Sequence, residues 1–255
     1  MSPDSIRHRL LAALIHLGLS ALVAALASVL VFFVWYPSPF AAIVGGTHLF
    51  LLLISVDVVM GPALTAVVAS AGKPRRELRR DLCVIVALQV VAFGYGLHSM
   101  ALARPVALAF EVSEFRVVTA AELEPTSLVA APPGLRKLSW RGPKLLAAVK
   151  PTDPQELLRI VELGLAGIPL SAMPNYWRDY ASQADAAWRV ARPVTALVAR
   201  YPTSVDALAR IAKAAGQPAT ALRFLPLRAR GVEWVALIAK PDALIVGYLP
   251  LDGFL

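Results

Sequence analysis

Three long apolar runs occupy the first hundred residues and constrain the fold more than any other feature. They cover residues 10–36, 41–71 and 82–103. Each is long enough to supply the roughly 20 apolar residues that a helix needs to cross a hydrocarbon core about 30 Å thick. The hydrophobic content of 58% also exceeds the roughly 45–50% of soluble domains. The sequence therefore predicts a membrane domain, residues 1–103, with three transmembrane helices.

Basic residues predict the orientation of this domain. Arg7 and Arg9 precede the first run, and the loop AGKPRRELRRD separates the second run from the third. By the positive-inside rule, the N-terminus and this loop are cytoplasmic. The third helix then delivers residues 104–255 to the opposite side of the membrane, which is the periplasm in a bacterium. The aromatic end of the first run, FFVWY, is expected at the outer membrane interface.

The exported segment predicts an α+β domain with a small antiparallel sheet. VALAFEV and FRVVTA indicate a β-hairpin, and residues 125–154 indicate a loop-rich connector. A helix is expected to begin at Asp153-Pro154, followed by helices over residues 181–201, with a break near Pro193, and 204–215. LRFLPLRA, EWVALIAK and LIVGYLPLD then predict an antiparallel meander with the helices on one face. The apolar face of the first helix comprises Leu157, Leu158, Val161 and Leu165.

The exported domain contains neither histidine nor cysteine, since Cys83 and all four histidines lie within the first hundred residues. Ser-His-Asp triads, cysteine nucleophiles and ordinary zinc sites are thereby excluded from that domain. We expect no catalytic residues, no metal site, no cofactor and no enzymatic activity. The net charge of +8 belongs to the whole chain, and within the exported part the basic residues are scattered without a dense run. We expect them to form a solvated surface with some attraction to anionic membrane lipid, rather than a site for nucleic acid.

One carboxylate, Asp57, stands in the middle of the second apolar run. Counting 1.5 Å per residue from the cytoplasmic end places it near the midplane of the membrane. A buried carboxylate needs a hydrogen-bond partner or a proton. The same distance along the third run arrives at Tyr95, with His98 about one turn above and Gln89 below. We expect Tyr95 or His98 to be the neighbour of the acid.

Small and polar residues surround this acid along the helices. Asp57, Gly61 and Thr65 share one helical face, and Pro62 is expected to kink the helix. The first run carries a matching stripe of small and polar residues: His16, Ser20, Ala24 and Ala27. An acid within a membrane is a functional-site hypothesis by default. Three interpretations are open: a structural or partner-docking contact, a proton or ion path, and an incidental residue whose polar group is satisfied.

A second candidate site is the aromatic segment MPNYWRDYASQ, residues 173–183. Tyr176, Trp177 and Tyr180 lie beside Arg178, and aromatic residues with arginine often anchor protein interfaces. The same rings could equally fill the core of the exported domain. The sequence leaves both interpretations open.

Five segments carry a family resemblance: FFVWYPSPF, SVDVVMGPALTAVV, KPRRELRRDL leading into VIVALQVVAFGYGL, ARPVALAF, and VGYLPLDGF near the end. With these the sequence resembles the type IV pilin accessory proteins of the TfpX/TfpZ group. The resemblance implies an inner-membrane, chaperone-like protein of type IV pilus assembly that stabilises or presents a cognate pilin subunit, without enzymatic activity. The alternative is a membrane-anchored component of a transport or glycan-modifying system.

Overall fold

The structure is a computed structural model, and it describes residues 3–69, 74–229 and 231–254. The chain divides into two compact units, and the boundary falls between Arg104 and Pro105. The first unit is helical, whereas the second contains all the strands that the structure describes. Each unit is considered by itself below.

Long helices build the first unit. In chain order they are α1 (Pro3–Val29), α2 (Phe40–Ile43), α3 (Gly46–Ser55), α4 (Gly61–Val68) and α5 (Arg75–Ala103). α1 continues through a π-helical turn (Leu30–Trp35), and a second π-helical turn (Val56–Met60) joins α3 to α4. Among the described residues, three helical stretches are long and apolar enough to cross a membrane: Arg9–Trp35, Gly46–Val68 and Arg76–Ala103.

The second stretch begins later than the sequence predicted. Gly45 has a φ of 72°, a left-handed conformation that ends α2, so the long helix starts at Gly46 rather than near residue 41. The predicted end of this span, residues 70–71, lies outside the described residues. In place of a simple kink at Pro62, the structure has the π-helical turn that ends at Met60. Pro62 has no amide hydrogen to donate to the preceding turn, and a π-helical turn changes the bonding register there.

The aromatic end of the first helix packs largely inside the unit. Tyr36 is fully buried, and its hydroxyl donates a hydrogen bond to the Met100 carbonyl at 2.7 Å. A side chain on Gly46 would place its Cβ 2.6 Å from the Tyr36 ring, so glycine permits this close packing. Trp35 and Phe50 belong to the same apolar cluster. Phe33, by contrast, is exposed.

The sheet of the second unit is larger than predicted and mixed. Its eight described strands run in the order β4-β3-β1-β2-β6-β7-β8, and β5 also pairs with β6. The strands are β1 (Pro105–Glu111), β2 (Glu114–Thr119), β3 (Lys144–Ala148), β4 (Trp177–Asp179), β5 (Arg192–Pro193), β6 (Arg223–Ala229), β7 (Val232–Ala239) and β8 (Leu244–Leu249). The predicted hairpin and meander are confirmed as β1–β2 and β6–β8.

The expectation of a small antiparallel sheet is wrong because of two parallel pairings. β1 pairs with β3, and β2 pairs with β6, both in parallel. β3 lies within the segment that the sequence predicted as a connector. Strands β2 and β6 are separated by about a hundred residues, and no local pattern indicates such a pairing.

The four helices of the second unit's described part lie close to their predicted positions. They are α6 (Pro154–Leu165), α7 (Ala184–Val190), α8 (Val194–Arg200) and α9 (Val205–Ala214). The Asp153 carboxylate accepts hydrogen bonds from the backbone amides of Gln155 and Glu156, both at 2.9 Å, and so caps α6. The break near Pro193 is confirmed, and there the chain forms β5 between α7 and α8.

The apolar face assigned to α6 points away from the core. Leu165 is 86% exposed, and Leu157, Leu158 and Val161 are also exposed. Ile160, which is 8% exposed, makes the core contact of the helix instead, together with the partly buried Leu163. The helix is apolar on two sides, so periodicity alone could not select the packed one.

Candidate functional site

A groove with polar groups at its base lies between the long helices of the first unit. Its volume is about 490 Å³, and its walls are mostly aliphatic side chains of α1 and α5. The polar residues that line it come from α1, from the second π-helical turn, from α4 and from α5: His16, Ser20, Asp57, Thr65 and Gln89. Two faces predicted from the sequence, one on the first helix and one on the second, thus meet at this groove.

Asp57 is buried because it shares a packed helical face with its neighbours at intervals of four residues. Leu53, Asp57, Gly61 and Thr65 are all buried, and Asp57 is only 8% exposed. Asp57 itself belongs to the π-helical turn that precedes Gly61. π-Helical turns of this kind occur frequently at functional sites.

The hydrogen bonds of the groove connect all three long helices. The Gln89 side-chain amide donates to the backbone carbonyl of Asp57 at 3.3 Å. On the other side, the His16 Nδ1 and the Thr65 hydroxyl share a hydrogen bond of 2.6 Å. Gln89 and His16 also interact electrostatically with the Asp57 carboxylate. These contacts link α1 and α5 to the helical stretch Gly46–Val68 at two points about two turns apart.

Two oxygen atoms of the groove lack a hydrogen-bond partner within the part of the chain that the structure describes. They are Oδ1 of Asp57 and Oε1 of Gln89, both completely buried within the protein. A buried polar atom without a partner costs free energy, and such atoms are uncommon in folded proteins. The site is therefore able to accept hydrogen bonds from a further group.

Gly61 allows the polar side chains to approach the helix backbone. A Cβ atom at this position would lie 2.1 Å from the Gln89 Nε2 and 3.0 Å from the His16 Nε2. Any larger residue would push both side chains away. The sequence pattern identified Gly61 as part of the face, and the structure shows that its role there is steric.

The predicted neighbours of the acid are placed differently. No hydrogen bond joins Asp57 to Tyr95 among the described residues; Tyr95 is 74% exposed and shares with the acid only the lining of a second cavity of about 230 Å³. His98 is exposed and lines neither cavity. Gln89, rather than Tyr95 or His98, is the hydrogen-bond neighbour of Asp57. Six residues of helix rotate a side chain by roughly 240°, so Gln89 and Tyr95 cannot both face the acid.

Comparison with known proteins identifies the family of this chain. A fimbrial assembly protein of serogroup I from Dichelobacter nodosus is 34% identical over 243 residues, which cover 94% of each chain. The serogroup E1 protein of the same organism is 32% identical over 245 residues, again 94% of each chain. The chain belongs to the fimbrial assembly protein family. The resemblance found in the sequence is confirmed.

Further matches agree with this family membership. The family model described as fimbrial assembly protein FimB matches residues 4–45, a segment that includes His16 and Ser20 of the groove. A fimbrial assembly protein of serogroups C1 and C2 from Dichelobacter nodosus is 41% identical over 109 residues, 43% of this chain and 83% of that protein. No solved structure shows a significant match.

The aromatic segment of the second unit lies in the core. Tyr176, Trp177 and Tyr180 are buried, whereas Arg178 is exposed. The Trp177 Nε1 donates to the Ser171 carbonyl at 2.8 Å, and the Tyr180 hydroxyl donates to the Ala243 carbonyl at 2.7 Å. Burial raises the pKa of Tyr180 to about 12. Of the two interpretations left open by the sequence, the structure supports the core.

Sequence reasoning missed the two pairings that build the groove, His16 with Thr65 and Gln89 with Asp57. A signal for them exists, because each is a polar residue on a stripe of small residues within an apolar helix. The sequence placed Tyr95 level with Asp57 and Gln89 below it, whereas the structure joins Gln89 to Asp57. No group of three or more metal-binding side chains occurs among the residues described, in the groove or elsewhere.

Proposed function

We propose that this protein is an inner-membrane accessory factor of type IV pilus assembly that binds a pilin subunit and stabilises it before polymerisation. Relatives similar over 94% of the chain, which carry the description of fimbrial assembly proteins, support this proposal. In it the protein acts by binding, without enzymatic activity.

The outer surface of the first unit supports insertion into the membrane. Leu26, Leu88 and Val91 are among many large apolar side chains that its helices expose. A water-soluble protein rarely exposes so much contiguous apolar surface, and contact with lipid removes this cost. In the proposed topology the basic first turns of α5 are cytoplasmic, and residues 104–255 form the periplasmic unit.

The groove is the proposed docking place for the transmembrane helix of the pilin. The buried acid at the base of an open, apolar-walled groove is the observation that carries this assignment. Association of helices within a membrane depends on close packing and on hydrogen bonds between helices. The groove offers both, since its aliphatic walls can pack against a helix and it contains acceptors without partners among the described residues.

Two adjacent valines provide a matched test of this proposal. Val90 lines the groove, whereas the equally exposed Val91 does not. Each is replaced by tryptophan in the full-length protein, expressed in cells that carry the cognate pilin and lack the native copy. We expect Val90→Trp to lower pilin abundance and co-purification of pilin, because the bulky ring occupies the groove. Val91→Trp should retain both.

Accessory-protein levels in the membrane fraction serve as the control for folding. If pilin abundance and piliation stay at the wild-type level when the protein is deleted altogether, the proposed function is wrong. If only Val90→Trp has no effect, the docking place is wrong while the accessory role stands.

A further inference from the structure

The unpartnered atoms at the base of the groove are both acceptors. Oδ1 of Asp57 and Oε1 of Gln89 have no donor within the described part of the chain. The Gln89 amide nitrogen is already engaged with the Asp57 carbonyl, and the His16 Nδ1 with the Thr65 hydroxyl. The site therefore lacks donors rather than acceptors.

The number of missing bonds limits the chemistry of the occupant. A hydroxyl group has one donor, and a lipid acyl chain has none, whereas an ammonium group has three donors and a guanidinium group has five. Neither cationic group accepts a hydrogen bond. A cationic group carries enough donors for both acceptors, and its charge also complements the Asp57 carboxylate, which an uncharged amide or hydroxyl does not.

We infer that the groove binds a transmembrane helix that carries an ammonium or guanidinium group at the level of Asp57. This inference rests on the proposed function and specifies the chemistry of the docked segment. A cation within a bilayer is costly and is normally paired with an acid or with carbonyl groups. Asp57 and Gln89 supply such a pair of acceptors, and the aliphatic walls hold the rest of the helix.

Gly61 supports the same arrangement sterically. Because it has no side chain, Gln89 packs against the helix backbone beside Asp57. Both acceptors consequently lie at the same level of the bundle, as a single group with several donors requires.

The test is photocrosslinking in native membranes of cells that produce the cognate pilin. A photoreactive amino acid replaces Val86, which lines the groove, in the full-length protein, and a second version carries it at Val91, outside the groove. We expect Val86 to capture the transmembrane segment of the pilin and Val91 to capture mainly lipid. Mass spectrometry of the captured peptide should locate an amine or an arginine near the crosslinked residue.

Substitutions at the two acceptors then separate a cation from other occupants. Asp57→Asn keeps the size of the side chain and imitates a protonated, uncharged acid. We expect it to lower the crosslinking yield about tenfold, the size of one interhelical polar contact. Gln89→Leu removes the second acceptor and should also lower the yield.

The outcomes distinguish this inference from the proposed function. An unchanged yield with Asp57→Asn, or a captured segment without any cationic group, would overturn the inference and leave the accessory role intact. Capture of lipid alone from Val86 would overturn the groove as a docking place. Immunoblots of each variant check that the protein still accumulates in the membrane.

Discussion

The two units differ in the chemistry of the buried polar groups that lack a hydrogen-bond partner among the described residues. In the second unit such a group is the uncharged Ser171 hydroxyl. In the second unit, Trp177 and Tyr180 each donate a hydrogen bond to a backbone carbonyl of the same unit. In the first unit, Asp57 and Gln89 retain acceptors without a partner among the residues that the structure describes. This difference indicates where binding is expected, because an acceptor between helices that has no donor can receive a hydrogen bond from a bound group.

The two units also differ in how many of their large apolar side chains are exposed. The second unit gathers its large side chains in packed clusters, one around β1 and β3, and one where α8 and α9 cover β6 and β7. The helices of the first unit instead direct many leucines outwards. The second unit thus buries most of its large apolar side chains within itself, whereas the first exposes many of them.

The largest effect on stability is expected from Trp177→Ala in the second unit. The ring is buried, and its loss leaves a cavity and an unpaired Ser171 carbonyl. The free energy of unfolding should fall by about 3–5 kcal/mol. Limited proteolysis of the detergent-solubilised, full-length protein across a urea series measures it. Arg178→Ala, at an exposed neighbour, is the control, and equal resistance of both variants would contradict a core role.

Gly61→Ala tests the first unit, in which we expect the main effect on pilin abundance. The added Cβ atom would lie 2.1 Å from the Gln89 Nε2, so Gln89 must leave its position. When the Gln89 amide moves aside it loses its hydrogen bond to the Asp57 carbonyl, which is worth about 1 kcal/mol, and pilin abundance should fall. Gly18→Ala is the matched control, because no atom lies within 4 Å of its added Cβ. If both variants support wild-type piliation, the close packing at Gly61 has no role in binding.

Tyr180→Phe tests the buried hydrogen bond of the second unit through the pH dependence of its stability. The variant should lose about 1 kcal/mol at neutral pH, because the Ala243 carbonyl loses its donor. Burial raises the pKa of Tyr180 from its ordinary value of 10.0 to about 12. The folded state thus holds this proton more tightly than the unfolded state, so the contribution to stability is complete below pH 10.0 and is lost as the pH rises towards about 12.

Urea titrations at several pH values between these limits measure the effect. The fall in stability should be shallower in Tyr180→Phe than in the wild type, and part of it should remain because burial also raises the pKa of Tyr248 to about 12. Parallel curves for the two proteins would show that Tyr180 does not titrate with unfolding.

The smallest effect is expected on the outer face of α6. Leu165→Ala should change the free energy of unfolding by no more than about 0.5 kcal/mol, because this side chain is 86% exposed. Ile160→Ala on the same helix should cost about 2–5 kcal/mol, since Ile160 belongs to the core. Proteolytic unfolding of both variants compares the two faces directly, and a reversed order would show that the helix packs through Leu165.

Features that depend on neighbouring residues could be predicted from the sequence. The cap at Asp153, the break at Pro193 and the shared face of Asp57, Gly61 and Thr65 are all local, and the structure places each as expected. Features that depend on distant partners could not. The parallel pairing of β1 with β3 and the rotation of α5 that selects Gln89 follow from packing, for which spacing along one chain gives no measure.

The parallel pairing of β2 with β6 has a consequence for biosynthesis. Phe115 lies opposite Leu227, and Arg116 opposite Arg228, so an early strand of the second unit pairs with one made about a hundred residues later. A nascent chain that has not yet reached residue 223 holds β2 with one edge open. Contacts so distant in sequence form slowly, and open strand edges favour aggregation. The unit therefore completes its sheet only after β8 has been made, and removal of β6, β7 and β8 removes the partner of β2.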